Sequence, residues 1–64
     1  MKRRDLIKHL NANCCVLFRE GANHSIFINT ITQKLTAIPR HAEINDYTIK
    51  EICKQLGIPK AGKN

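Results

Sequence analysis

Aromatic side chains are scarce in this chain: it has no tryptophan, one tyrosine (Tyr47) and two phenylalanines (Phe18 and Phe27). A platform on which successive bases stack needs several exposed rings, so such a platform is poorly supplied. Phe18 and Phe27 are instead expected in the core, with Tyr47 partly exposed at the start of a helix. Acidic residues are also few, and no carboxylate cluster of the kind that holds a metal is present. No apolar run approaches the ~20 residues that span a bilayer. The first residues lack the apolar stretch of a secretory signal. No membrane partner is expected, therefore, and the expected location is cytoplasmic. Cysteine is limited to three residues, and Cys14 and Cys15, as strand neighbours pointing to opposite faces, do not suit a bridge. No Cys-x-x-Cys and no His/Cys spacing of a zinc site occurs, which leaves reduced thiols in a cytosolic protein and no metal ligand set.

What the chain does have is positive charge: eleven Lys and Arg against five Asp and Glu, a formal net charge of +6 on 64 residues. Such a density raises affinity for polyanions and the rate of meeting them. Nucleic acid and an acidic protein are the fitting partners. The length allows one domain. A domain this small buries only about 60% of the surface its unfolded chain exposes. A deep pocket for a small-molecule cofactor is not expected, and function belongs on the surface.

Periodicity orders the elements. Leu6, Ile7 and Leu10 mark one face of a helix over residues 3–13, with Lys2, Arg3, Arg4 and Lys8 on its polar side. A strand over 14–19 follows, then the turn Glu20-Gly21-Ala22-Asn23, whose Gly and Asn tolerate positive φ. A second strand over 24–29 sets Ile26 and Ile28 on one face and Phe27 on the other. A third, over 33–38, alternates Leu35 and Ala37 against Lys34, Thr36 and Ile38 and is ended by Pro39. Asn45 or Asp46 caps a second helix, in which Ile49, Ile52, Cys53 and Leu56 fall at i, i+3, i+4 and i+7. Cys53, on that buried face, behaves as a small hydrophobe. Gly57 then supplies a C-cap and Pro59 forbids continuation. The expected fold class is α+β: one small α-β-β-β-α domain over 1–59, a three-stranded antiparallel sheet with both helices on one face, and a flexible polar tail over 60–64.

His24 opens the second strand just after the turn. A neutral imidazole, titrating near pH 6.5 when unperturbed, can take the proton of a ribose 2′-hydroxyl and turn that oxygen on the adjacent phosphorus. Read from the residues alone, a turn histidine making one backbone hydrogen bond is the commoner occupant. An antiparallel meander brings Arg19, His24, Arg40 and His41 toward one rim, where an arginine would clamp a phosphate. A solvated polar edge that discourages aggregation accounts equally well for each residue taken singly. Lys2, Arg3 and Arg4, with Lys50 and Lys54 on the second helix, form further phosphate-contacting candidates that add affinity without reading sequence.

In these residues the chain resembles the HicA family of bacterial toxins, the messenger-RNA-cleaving partners in HicA–HicB toxin–antitoxin pairs. The carriers run over nearly the whole length: Asp5-Leu6-Ile7 with Leu10, Val16-Leu17-Phe18-Arg19, Gly21-Ala22-Asn23-His24 with Phe27, Ile38-Pro39-Arg40-His41, and Tyr47-Thr48-Ile49 through Ile52 to Gln55-Leu56-Gly57-Ile58. The resemblance implies a fold like a double-stranded-RNA-binding domain. It also implies a metal-independent endoribonuclease needing no cofactor, with His24 as its functional histidine. The phosphate- and RNA-contacting set is then Arg19, Asn23, Arg40, His41, Lys2, Arg3 and Arg4, and the implied partners are messenger RNA and a HicB-type antitoxin. This chain departs from the family in having Asn23 before the histidine, Ser25-Ile26 after it, and Cys14-Cys15 where a Gly-aromatic pair often opens the first strand. From a different class, a non-catalytic RNA-binding module of the same element order would recognise duplex RNA by shape. A purely structural partner-binding protein is the third class, marked by failure to retain RNA at low salt.

Overall fold

Two amphipathic helices lie against one face of a three-stranded sheet in the computed structural model, which describes residues 1–61. The elements are α1 (Arg3–Ala12), β1 (Cys15–Glu20), β2 (His24–Asn29), β3 (Leu35–Pro39) and α2 (Asp46–Leu56). The strands form an antiparallel meander in the order β1-β2-β3. Order and layering are those of a double-stranded-RNA-binding domain. Among the described residues no helix is long and apolar enough to cross a membrane.

Helix α2 forms as its residue spacing dictates. Asn45 Oδ1 accepts the Thr48 N–H at 2.8 Å, satisfying a donor that the first turn would otherwise leave bare. Gly57, at φ 71°, turns the chain so that the Ile58 N–H reaches Cys53 O at 3.0 Å. Between these caps Ile49, Ile52, Cys53 and Leu56 are buried. They meet Leu6 and Leu10 of α1, Cys15, Phe27 and Ile38 of the sheet, and Ile44 of the connector. Full burial stabilises by about 1.5–3 kcal/mol for each large aliphatic side chain.

Alternation sorts the sheet into two faces. Ser25, Phe27 and Asn29 of β2 and Thr36 and Ile38 of β3 face the helices. His24, Ile26, Ile28, Leu35 and Ala37 lie on the other face, which nothing covers among the described residues. Asn29 closes β2 from inside: its Nδ2 donates to Leu56 O at 2.8 Å while Oδ1 accepts from Ile31 and Thr32 N–H.

Three expectations are corrected. Phe18 is 55% exposed rather than core, and Val16 and Leu17 are exposed too, so that only Cys15 of β1 is buried. Pairing runs Leu17↔Phe27 and then Arg19↔Ile26, which leaves residue 18 as a bulge on an edge strand and lifts its ring out of the alternation. The hairpin turn does not use positive φ at Gly21 or Asn23; the non-glycine residues with positive φ are Cys14 and Gln33. Gly21 is needed for another reason, since a Cβ there would come within 3.0 Å of His24 O. Within the expected tail, Ala61 is buried in the core, whereas 62–64 lie outside the described residues.

Candidate active site at the hairpin end

The β1–β2 hairpin closes with the Gly21 N–H donating to His24 O at 2.7 Å, which sets where β2 begins and hence which way residue 24 faces. His24 pairs with Pro39, and its side chain is exposed on the open face of the sheet. Arg19, opposite Ile26 and likewise exposed, lies on that same face one diagonal step away. Among the described residues neither side chain makes a hydrogen bond within the chain, so both remain available to a ligand.

Across the sheet at the same end, four side chains from α1, β1, β2 and the connector after β3 are chained together. The Ser25 hydroxyl, 1% exposed, donates to Glu20 Oε1 at 2.7 Å. Arg40 Nη2 donates to the same oxygen and to Gly21 O, each at 2.6 Å. Arg3 Nη2 donates to Ser25 Oγ and Arg3 Nε to Pro39 O, both at 2.9 Å. Ser25 is thereby both donor and acceptor, as a buried hydroxyl requires.

Arg3 can reach this point because the chain start is stitched to the connector after β3. The Arg3 N–H donates to Ala42 O, the Ile44 N–H to Met1 O, and Lys2 bridges Glu43 in antiparallel fashion. The amino-terminal ammonium lies 3.0 Å from Glu43, and that contact, with Lys2 nearby, lowers the Glu43 carboxyl below its ordinary value. Lys2, Arg3, Arg4 and Ala42 consequently line a shallow basic groove beside the hairpin end.

The expected set is thus partly gathered. His24 and Arg19 share a face, Arg3 and Arg40 are joined beneath it, and exposed His41 follows Arg40 directly. Asn23 is exposed in the turn. Lys50 is drawn elsewhere, into a groove of mixed charge with Asp5, Asp46, Tyr47 and Lys60. The sequence pattern singles out neither Glu20 nor Ser25 as a site residue. Ser25 carried a signal, because a hydroxyl on the buried phase of an alternating strand must find a partner.

Burial raises the Cys15 and Cys53 thiols above their ordinary value, with the neighbouring cysteines adding to the effect at Cys15 and an Ala61 backbone hydrogen bond opposing it at Cys53. Cys14 is exposed. Chemically, the hairpin end offers a solvent-facing imidazole, a guanidinium on its own face, and two more guanidinium groups bonded to Ser25 and Glu20 of the opposite face. An acceptor for a hydroxyl proton and a donor for phosphate oxygens therefore share one face of the sheet.

A family model described as the HicA toxin of bacterial toxin–antitoxin systems matches residues 3–58. No curated protein and no solved structure gives a significant match.

Proposed function

The chain belongs to the HicA toxin family, the toxin side of a bacterial toxin–antitoxin system, and from that premise we propose that it is an endoribonuclease that cleaves messenger RNA in the cytoplasm with His24 as general base. The observation that carries this reading is the exposed His24 imidazole on the same sheet face as an unengaged Arg19.

The neutral imidazole removes the proton of a 2′-hydroxyl, and the oxygen attacks the neighbouring phosphorus as the bond to the 5′-oxygen breaks. Arg19 neutralises charge gathering on the non-bridging oxygens, where donors are worth most. His41 serves as the acid that protonates the departing 5′-oxygen. The products are a 2′,3′-cyclic phosphate and a 5′-hydroxyl, and the chemistry needs neither metal nor cofactor. Lys2, Arg3, Arg4 and Arg40 guide the backbone through phosphate contacts, with Asn23 beside the reacting nucleotide. A HicB-type antitoxin of acidic surface covers the His24 rim.

The test is incubation of purified protein with end-labelled single-stranded RNA in EDTA, beside His24→Ala. Cyclic-phosphate ends from the parent and none from the folded variant are expected. RNA left whole by the parent, yet retained at low salt, leaves the non-catalytic RNA-binding module in its place. Equal cutting by both proteins removes His24 from the mechanism.

A further inference from the structure

We infer that Glu20 is an internal stand-in for an RNA phosphate, a carboxylate that latches Arg40 shut and must be displaced when the backbone binds. This inference rests on the RNA-binding part of the function proposed above.

A guanidinium grips a phosphate best with two hydrogen bonds at once. It does so through one of two parallel N–H pairs: the side pair, Nε with Nη2, or the end pair, Nη1 with Nη2. Both pairs use a hydrogen of Nη2. In Arg40 that nitrogen already donates to Glu20 Oε1 and to Gly21 O. Neither pair is complete while these bonds last, and Arg40 can offer a phosphate only single hydrogen bonds. Arg3 differs, because its Nε and one Nη2 hydrogen hold Pro39 O and Ser25 Oγ, which leaves its end pair whole. The two cations that the Ser25–Glu20 chain joins are thus one open clamp and one closed clamp.

The closure is built to yield. The Arg40 and Glu20 side chains are 45% and 54% exposed, and an ion pair so open to water contributes little. Glu20 also has a second tie, since its Oε1 accepts the buried Ser25 hydroxyl whether or not Arg40 stays. A phosphodiester can draw Arg40 away without orphaning a buried group. Among the described residues Glu20 is the only acid bonded to either arginine. The latch lowers affinity for RNA, so that only a ligand offering phosphate geometry opens the second clamp.

The test uses the full chain carrying His24→Ala, so that RNA is bound and not cut, and reads anisotropy of a fluorescein-labelled single-stranded RNA. Glu20→Gln keeps the acceptor for Ser25 but loses the charge that holds Arg40. An exposed pair of this kind predicts binding tighter by about 1.5- to fivefold. Glu51→Gln, which removes one negative charge on α2, is expected to gain less than about 1.5-fold at ordinary salt. With Arg40→Ala also present, Glu20→Gln should gain no more than that control. Glu20→Asp keeps the charge but shortens the reach, should gain similarly, and replaces the Gln variant if its melting curve shows it unfolded. A Glu20→Gln gain equal to that of Glu51→Gln, a loss of affinity, a gain that survives removal of Arg40, or no RNA binding by any variant overturns the proposal. Failure of the nuclease reading is seen separately, as whole RNA in EDTA with the parent protein, and leaves this comparison readable.

Discussion

Replacing Gly21 with alanine tests whether the close backbone approach at the hairpin end sets the position of His24. The added methyl would meet His24 O at 3.0 Å, and this atom belongs to the backbone, so it cannot swing aside as a side-chain tip would. Relief requires a shift of a few tenths of an ångström, or bent angles at a cost of about 1 kcal/mol for a ~7° distortion. The same shift weakens the 2.7 Å bond from the Gly21 N–H to His24 O, worth about 0.5–1.5 kcal/mol. Against this, alanine restricts the unfolded chain and returns about 0.4–1 kcal/mol, because Gly21 is not among the positive-φ residues. The net expectation is a destabilisation of about 1 kcal/mol, or a melting temperature about 4–8 °C lower for a domain of this size. Cleavage should fall further than stability, by about tenfold, since misplacing a catalytic group by about 1 Å costs about a hundredfold. Circular dichroism melts and RNA cleavage in EDTA measure the two, with Ala22→Ser as a neighbour that touches neither atom. A variant that melts at or above the parent temperature and cuts at the parent rate would refute the reasoning.

Three further outcomes are expected. Phe27→Ala should cost about 3–5 kcal/mol and leave the domain largely unfolded by urea titration, whereas Phe18→Ala, on the exposed bulge, should cost no more than about 1 kcal/mol. Asn29→Ala removes the partner of Leu56 O and of two backbone N–H groups, so its denaturation midpoint should drop by an amount equal to about 2–3 kcal/mol. Because burial raises the Cys15 and Cys53 thiols, the folded chain holds their protons above about pH 8.5, where the unfolded chain has released them. Stability is therefore whole below that pH and declines as pH rises toward the folded values, a decline that Cys53→Ala should flatten in urea midpoints taken across pH 7 to about 9.5.

Local features are the ones legible in the sequence. Helix α2 announces itself because its apolar spacing, the Asn45 cap and the Gly57 stop each act within one or two turns, and all three are where they should be. The two faces of β2 follow from strict alternation, which places His24 with Ile26 and Ile28. The bulge at Phe18 depends on how β1 registers against β2, and nothing within residues 15–20 encodes that slip. Gly21 was legible as a required glycine but for the wrong physical cause, a close contact in place of a left-handed φ. Arg3 and Arg40 stand out as cations in any reading of composition. Their engagement by Ser25 and Glu20 spans 20 to 22 residues of chain and exists only once α1, β1, β2 and the segment after β3 meet.

The open sheet face links the catalytic proposal to the thin stability of so small a chain. Val16 and Leu35 are 43% and 48% exposed there, beside half-buried Ile26 and Ile28, and His24 and Arg19 stand at one end of this apolar surface. A partner that covers the surface removes apolar area from water, at about 25 cal/mol per Å², and occludes the imidazole in the same act. Binding only the folded state also shifts folding toward completion, by RT ln(1 + [L]/Kd). If a HicB-type antitoxin occupies this face, neutralisation and stabilisation are one event, and Ile26→Lys should weaken both together. Such a variant would still cut RNA, since Ile26 only lines the surface beside His24, yet its melting temperature should no longer rise on adding the antitoxin. An Ile26→Lys protein that is stabilised and silenced as fully as the parent would place the antitoxin elsewhere, on the basic groove of Lys2, Arg3 and Arg4.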